Sequence, residues 1–454
     1  MQENKMGVMP VKKLIVNMSL PMMISMLVQA MYNVVDSIFV AQLSEKALTA
    51  VTVAYPIQNL MIAFATGTAV GINALLSRSL GEKKFDRSNA AANNGLFLAF
   101  INFLIFLCVG LFGAKAFIGS QTSDAEIWQL GMDYLRVVTI CSVGCFYQVT
   151  LERLLQSTGR TTLSMASQLT GAITNLILDP IMIFGLLGCP KLGVTGAALA
   201  TVIGQCVAAC FALFLNLKFN KELTLSFSSI THPKADIIKR IYAVGIPSIL
   251  MVSVGSVMTY LMNLILMTFS ATATAVFGVY FKLQSFFFMP LFGLNNGLIP
   301  VLAYNFGAKK KSRIDEALRF AVTLAICIMI VGMATFELIP QVLLKMFNAS
   351  DQMIDLGDNA LRTIAIHFPL AAFSIVLGSI FQAFSRSIFS LIVSLGRQLV
   401  VLIPAAYLLS LTGNVDNVWW AFVIAEFVSV TLSIIFFRKV YREDVEALTA
   451  DKPA

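Results

Sequence analysis

Long apolar runs, separated by short polar connections, follow one another along the whole chain. A transmembrane helix needs about 20 predominantly apolar residues, and each of the runs reaches that length. We number them spans 1 to 12; they cover residues 14–42, 50–77, 89–112, 128–152, 161–185, 194–217, 237–268, 274–304, 315–337, 357–384, 388–410 and 417–437. The pattern predicts an all-α integral membrane protein with twelve transmembrane helices.

The composition agrees with this prediction. Of the 454 residues, 58% are hydrophobic and only 12% are charged, whereas about 25% are charged in a typical soluble domain. These values exclude a soluble enzyme, a disordered regulator and a small disulfide-rich secreted domain. We expect the lipid bilayer and small molecules as the partners of the chain, and no nucleic acid.

Lysine and arginine lie mainly on one side of the predicted spans. Twenty-three of the 32 fall in the N-terminus, in the connections on the same side and in the C-terminus; the opposite side holds four, Lys46, Lys115, Lys191 and Lys345. Positively charged connections stay in the cytoplasm. We therefore expect a multi-pass protein of the cell membrane with both termini cytoplasmic.

The chain repeats itself at an offset of 226 residues. The matching pairs include Pro21 and Pro247, Gln58 and Gln284, Gly67 and Gly293, Gly71 and Gly297, Arg160 and Arg386, and Ser164 and Ser390. We expect two pseudo-symmetric six-helix lobes, residues 1–225 and 226–454, around a central cavity. Because six is even, both lobes enter the membrane from the same side. Repeats that rock against each other are typical of a secondary transporter.

One intramembrane acid breaks this repeat. Asp36 in span 1 has Met262 as its counterpart in span 7. An ionised carboxylate inside a bilayer is costly, and such acids mark ion pathways and proton relays. Asp36 is therefore the first candidate for a functional residue.

Spans 1 and 5 each carry a polar stripe. Gln29, Asn33 and Asp36 are spaced i, i+4 and i+7, and Asn175 and Asp179 are spaced i and i+4, so each set lies on one helix face. Both spans run outward, and both acids lie about 9 Å from the outer ends at about 1.5 Å per residue. Oxygen-bearing side chains at one level suit a hard cation or a proton. We predict that these five residues form a cation-coupling site.

The second lobe has different polar residues in its spans. Lys282 stands where the first copy has Pro56, and Gln284 follows two residues later. A mid-span ammonium group can repel cations, pair with an acid or extend to the membrane interface. Arg397 in span 11 and Glu426 in span 12 lie at similar depths, which predicts a structural ion pair.

Motifs of enzymes and of ATP-driven pumps are missing. The sequence has no GxxxxGK[ST] phosphate-binding loop. Its two histidines, His232 and His367, occur without an HExxH motif or a paired nucleophile and base. We expect a transporter that is not an enzyme and that needs no cofactor besides a coupling ion.

Several short motifs follow one another along the chain. They are Tyr32-Asn-Val-Val-Asp36-Ser-Ile-Phe-Val, Leu155-Gln-Ser-Thr-Gly-Arg160, Asn175-x-x-x-Asp179-Pro180, Gly193-Val-Thr-Gly-Ala-Ala198, and Phe281-Lys-Leu-Gln284 through Asn305-Phe-Gly307. Taken together and in order, these motifs resemble those of the multidrug and toxic compound extrusion (MATE) family, and within it the bacterial drug-exporter branch. The resemblance covers nearly the whole chain.

The resemblance implies export of bulky, often cationic organic compounds in exchange for inward H⁺ or Na⁺, by a monomeric protein. It implies that Asp36, Asn175 and Asp179 form the first-lobe cation site and would ligate Na⁺ if sodium is the coupling ion, with Gln29 nearby. Other branches of the family use acids in the second lobe, but span 7 has none after Asp236, which concentrates the coupling on Asp36. Candidates for the substrate cavity are Tyr32, Gln58, Lys282 and Gln284.

Two other functions stay open at this point. A lipid-linked oligosaccharide flippase of related architecture would need a basic cavity for an anionic head group, for which the candidates are Arg136, Arg362, Lys282 and Arg397. A membrane-embedded transferase would need a reactive histidine or acid pair at the bilayer surface, and the sequence offers none.

Overall fold

The structure, a computed structural model, describes residues 4–347 and 350–450. Over these residues the chain forms helices and turns and no β-strand. A bilayer core offers no hydrogen-bond partners to the backbone, and a helix satisfies its own N–H and C=O groups. The apolar runs of the sequence therefore become long helices.

Twelve elements, α1 to α12, correspond to the twelve predicted spans. Nine single helices of the described residues are long and apolar enough to cross a membrane, and two further elements, α4 and α10, are helix pairs bent by 45°. The remaining element, α5, has 24 residues, which gives about 36 Å at about 1.5 Å per residue, and it carries several hydroxyl and amide side chains. The bounds are Val11–Ala41 for α1, Glu45–Gly81 for α2, Phe85–Gln121 for α3, Ala125–Ile140 with Val143–Ser157 for α4, Thr161–Phe184 for α5, Val194–Phe219 for α6, Ala235–Met267 for α7, Ala271–Gly307 for α8, Lys311–Leu338 for α9, Asp351–Ala365 with Phe368–Ala383 for α10, Ser387–Ser410 for α11 and Val415–Glu446 for α12.

The sequence repeat is reproduced in the helix bounds. Helices α2 and α8 both have 37 residues and begin and end 226 residues apart, and α5 and α11 are related in the same way. Ser44 caps α2 and Ser270 caps α8, each accepting a hydrogen bond from the backbone N–H three residues later, at 3.0 and 3.1 Å. Equivalent residues thus start equivalent helices.

The turns repeat as well. Lys83 and Lys309, which follow α2 and α8, adopt left-handed backbone conformations with φ of 59° and 56°. The turn that ends α4 has Gly159 at φ 86°, and the equivalent turn after α10 has Ser385 at φ 62°. Only glycine adopts this conformation without steric cost. In the three turns that contain Lys83, Lys309 and Ser385, the tertiary structure must therefore hold the backbone in this conformation.

The helices form two compact units that exchange two half-helices. The first unit consists of Ile24–Ile249 and the N-terminal residues up to Asn4, and the second consists of Lys5–Met23 and the chain from Leu250 onwards. The first half of α1 thus belongs to the second unit and the first half of α7 to the first. The sequence boundary between residues 225 and 226 is therefore not where the compact units divide.

Repeat-matched glycines allow the exchanged half-helices to approach closely. In the second unit, a Cβ atom on Gly297 of α8 would lie 2.6 Å from Ser19 Oγ and 2.7 Å from Ser19 Cα of α1. Ser19 also donates a hydrogen bond to the backbone oxygen of Leu294, at 3.2 Å. In the first unit, Gly71 of α2 faces Ile241 of α7 at similarly close range.

Replacing Gly297 by alanine should destabilise the fold. The added methyl group meets backbone atoms of Ser19, which cannot rotate away, so we expect a loss of about 1–3 kcal/mol in the free energy of unfolding. A Cβ atom on Gly278, in the same helix, would meet no packing neighbour within 4 Å. Gly278→Ala should therefore be neutral or stabilising by up to about 1 kcal/mol. Thermal unfolding of the purified variants in detergent measures both, and equal melting temperatures would contradict the close contact.

Candidate cation-coupling site

Two carboxyl groups from different helices meet in the first unit. Asp36 lies on α1 and Asp179 on α5, and their carboxyl groups are close enough to interact electrostatically. Asp179 is fully buried and Asp36 is half-buried. Ionised carboxylates only accept hydrogen bonds, so a bond between two of them requires a proton on one. A pair of carboxyl groups that shares a hydrogen bond would therefore hold one proton and one negative charge.

Asn175 supports the pair from α5. Its amide nitrogen donates to Asp179 Oδ1 at 3.3 Å and to Thr201 Oγ1 of α6 at 3.4 Å. Asn175 is 4% exposed, so its donors have no competition from bulk water. The amide group thus faces the carboxylate with its N–H groups, an orientation that stabilises a negative charge and leaves the carbonyl oxygen pointing elsewhere.

Each acid of the pair has one oxygen left over. Asp36 Oδ1 and Asp179 Oδ2 are buried and have no hydrogen-bond partner among the described residues. Buried polar atoms without partners are costly, and an ion, a water molecule or a further proton can satisfy them. Carboxylate oxygens with a nearby hydroxyl suit a hard monovalent cation, so the donor set fits Na⁺ as well as H⁺. Within the described part of the chain, no three His, Cys, Asp or Glu side chains gather as a site for a metal ion.

Two tyrosines with their glutamine partners surround the pair. Tyr32 of α1 interacts electrostatically with both acids and lies near Gln29. Tyr134 of α4 also faces both acids and donates its hydroxyl hydrogen to Gln58 Oε1 of α2 at 3.3 Å. The site therefore draws polar side chains from α1, α2, α4, α5 and α6 of one unit.

Asn33, Lys282 and Gln284 are not among the residues of this cluster. Asn33 and Lys282 are exposed, and no hydrogen bond from the Asn33 side chain to either acid occurs in the described structure. Gln284 accepts a hydrogen bond from the buried Tyr280 hydroxyl at 2.7 Å. Lys282 and Gln284 are two residues apart in α8, so they point to different sides of that helix.

Arg397 and Glu426 form an ion pair in the second unit. Arg397 Nη1 of α11 lies 3.4 Å from Glu426 Oε2 of α12, and the Glu426 side chain is 3% exposed. Tyr280 and the buried His367 share its electrostatic environment. Aromatic rings pack around these groups, so the charges compensate each other inside an apolar core.

The sequence interpretation missed Tyr134 and Thr201. Both break the 226-residue repeat, because their counterparts are Ala360 and Phe427. Tyr134 and Thr201 are found when the two copies are compared for hydroxyl side chains inside the spans as well as for charged ones.

Comparison with known proteins decides the family. The MatE family model matches the chain twice, over residues 21–181 and 247–408, and the two matches begin 226 residues apart. The chain belongs to the MatE family. The resemblance to multidrug and toxic compound extrusion proteins is thereby confirmed, as is the expectation of a membrane transporter rather than an enzyme.

Relatives within the MatE family match over nearly the full length. The multidrug export protein MepA of Staphylococcus haemolyticus is 28% identical over 448 residues, covering 97% of this chain and 95% of that protein. MepA of Staphylococcus aureus is 25% identical over 418 residues, covering 92% of this chain and 91% of that protein. These bacterial relatives support a small-molecule transporter of the plasma membrane.

A solved structure shares the MatE fold. It is an outward-facing conformation of a multidrug resistance MATE family transporter of the MOP superfamily; it is 25% identical, covers 99% of each chain and has a TM-score of 0.91. A MATE structure in a straight conformation, also 25% identical and covering 99% of each chain, has a TM-score of 0.92. The predicted all-α architecture of twelve helices in two lobes is confirmed.

A proton shared by Asp36 and Asp179 can be detected by infrared spectroscopy. Asp179→Asn preserves the size of the side chain and offers Asp36 an amide N–H in place of a carboxyl O–H. We expect a stably folded variant that has lost a protonated-carboxyl C=O stretch present in the wild-type protein. Asp133→Asn, at an acid that accepts hydrogen bonds from Gln129 on the surface of α4, is the matched control and should retain the band. A wild-type spectrum in which Asp179→Asn removes no such band would contradict the paired carboxyls.

Proposed function

We propose that the chain is a secondary active antiporter that exports small organic, mostly cationic compounds in exchange for inward protons. The observation that carries this proposal is the close approach of Asp36 and Asp179, each with a buried oxygen that has no hydrogen-bond partner in the described structure. Membership in a family whose named relatives export multiple drugs supplies the substrate class.

The proposed coupling rests on the single negative charge of the pair. In the drug-loaded state Asp36 is ionised. The surrounding polar groups offset only part of the free-energy cost of removing its charge from water. A proton taken up from outside neutralises the pair, which relieves this cost and allows α1 to shift, so the protonated and ionised forms favour different conformations. A ligand shifts such an equilibrium only by its differential affinity for the two states. Two lobes that alternate in this way would exchange one cation for another.

Protons are favoured over sodium ions by the orientation of Asn175. Its amide nitrogen, rather than its oxygen, faces Asp179, and a cation would need the reverse. Sodium coupling by Asp36, Asn175 and Asp179 would require the amide group to turn over. We further propose that both termini lie in the cytoplasm, as the distribution of lysine and arginine indicates, and that the protein acts as a monomer.

The flippase alternative is weakened by the ion pairs of the second unit. Arg397 is paired with Glu426, and Arg362 lies 3.0 Å from Asp358 Oδ2. Two of the four basic residues that could attract an anionic head group are therefore neutralised by acids.

Transport assays on Asp36→Asn test the proposed function. In proteoliposomes under an imposed pH gradient, the wild-type protein should drive the efflux of a dye cation such as ethidium, and Asp36→Asn should abolish the gradient dependence because it removes the titrating group. Asp133→Asn serves as the control and should transport normally. The same assay under a sodium gradient distinguishes the coupling ions.

Gradient-driven efflux that survives Asp36→Asn unchanged would overturn the coupling site. If neither gradient moves ethidium and the protein instead translocates a lipid-linked oligosaccharide, the flippase replaces the antiporter.

A further inference from the structure

An arginine of the first unit lacks the acid that its repeat-matched counterpart binds. In the second unit Arg386, immediately before α11, donates to both carboxylate oxygens of Asp444 in α12, at 3.2 and 3.3 Å. The counterpart of Arg386 is Arg160, immediately before α5, and the counterpart of Asp444 is Lys218, near the end of α6. The first unit therefore keeps the arginine of this pair but has a second base in place of the acid.

The guanidinium group of Arg160 has no protein partner in its place. Its Nε is buried without a hydrogen-bond partner, and no hydrogen bond or ion pair of this guanidinium group occurs in the part of the chain that the structure describes. Glu222 lies beside the same turn, because Asn4 Nδ2 donates both to Glu222 Oε2, at 2.7 Å, and to the backbone oxygen of Thr158, at 3.0 Å. Glu222 nevertheless forms no ion pair with Arg160. A buried donor without an acceptor is costly, so Arg160 requires a further acceptor.

Lys218 lies at nearly the same level of the first unit as Arg160. Helices α5 and α6 pack antiparallel, and Ser167 Oγ donates to the backbone oxygen of Ala208 at 2.9 Å. Each residue towards the start of α5 is therefore matched by one towards the end of α6. Counted from this contact, Arg160 is level with Leu215, and Lys218 follows three residues later, within one helical turn.

The surface around Lys218 is apolar. Its Nζ lies 5.3 and 5.4 Å from the ring centroids of Phe214 and Phe219. Phe214 is 50% exposed and Leu217 is 67% exposed, and both share a helix face with Lys218 because the three residues are spaced i, i+3 and i+4. Exposed apolar side chains on a membrane helix face lipid. The ammonium group of Lys218 therefore lies where lipid chains meet their head groups.

We propose that Arg160 and Lys218 bind the phosphate group of an anionic phospholipid in the cytoplasmic leaflet. A phosphodiester supplies the acceptor oxygens and the negative charge that an aspartate supplies in the second unit. An acyl chain of the same molecule lies along Phe214 and Leu217, a contact that a free phosphate ion does not make. Basic pockets on the cytoplasmic side of membrane helices bind such head groups. Only the choice of leaflet rests on the proposed function, through the orientation of the termini.

The bound lipid replaces a connection within the unit. In the second unit the ion pair of Arg386 and Asp444 fastens the turn before α11 to the end of α12. In the first unit the phospholipid fastens the turn before α5 to the end of α6 through Arg160 and Lys218. The first unit should therefore gain stability from anionic lipid, whereas the second unit carries this connection in its own sequence.

Native mass spectrometry of the purified protein in detergent tests this inference. The wild-type protein should bind phosphatidylglycerol more tightly than phosphatidylcholine with the same acyl chains. Arg160→Gln and Lys218→Gln should each weaken the binding of phosphatidylglycerol about fivefold and leave the binding of phosphatidylcholine unchanged. Lys239→Gln removes an exposed charge from the same side of the first unit; it is the matched control and should bind both lipids as the wild-type protein does.

Lys218→Asp distinguishes a lost site from a damaged fold. The substitution gives Arg160 an acid at the position that Asp444 occupies in the other repeat. We expect a folded variant that no longer prefers phosphatidylglycerol. Added phosphatidylglycerol should raise the melting temperature of the wild-type protein in detergent but not that of Lys218→Asp.

Three outcomes would overturn the inference. If Lys239→Gln weakens the binding of phosphatidylglycerol as much as Lys218→Gln does, the lipid is attracted by the general basic charge and no specific site exists. If inorganic phosphate raises the melting temperature as much as phosphatidylglycerol does, the ligand is a free phosphate ion. If Lys218→Asp keeps the preference for phosphatidylglycerol, the lipid binds elsewhere. Asp36→Asn should bind phosphatidylglycerol normally, so a failure of the proposed antiport leaves the lipid site unaffected.

Discussion

The hydrocarbon of a bilayer offers no hydrogen bonds, so every polar group in it must be satisfied by the protein itself. For the backbone this requirement produces the long helices of both units. For side chains it decides which residues can be tolerated and where. Asp36 lies beside a second carboxyl group, that of Asp179, and the charge of Glu426 is compensated by Arg397. Glu152 accepts hydrogen bonds from Gln148, Ser167 and Gln168.

The two units meet this requirement differently. The first concentrates its acids, amides and hydroxyls on the facing sides of α1, α4 and α5. The second surrounds one compensated ion pair with aromatic rings; Tyr280 contacts Phe336 and Phe422 at centroid distances of 6.2 and 5.9 Å. A fold duplicated in sequence thus carries its chemistry mainly in one copy, and the other provides a matching scaffold of greater apolar character.

Much of the fold and part of the candidate site could be predicted from the sequence, because the membrane restricts which residues can occupy a span. Span length and the 226-residue repeat predict the helices, and the cost of an intramembrane acid singles out Asp36 and Asp179. Helical spacing also placed Asn33 on the polar face of α1 that carries Asp36. That face is broad, however, and Asn33 at its edge is exposed. The exchange of half-helices was not predictable, since a repeat identifies equivalent residues and not whether they pack within one copy or between copies. Glu152 was overlooked because it lies near a span end, where an acid is ordinarily solvated.

The exchanged half-helix of α1 also has a consequence for biosynthesis. Ser19 is made among the first residues of the chain, yet the backbone oxygen that it contacts belongs to Leu294, 275 residues later. At about 5–20 residues per second, roughly 14–55 s pass before that partner exists. During this time the ribosome continues translation, and the first half of α1 lies in the membrane without the surface of α8 that contains Gly293 and Gly297. The second unit is therefore completed by the oldest part of the chain, and neither repeat can finish folding as an independent module.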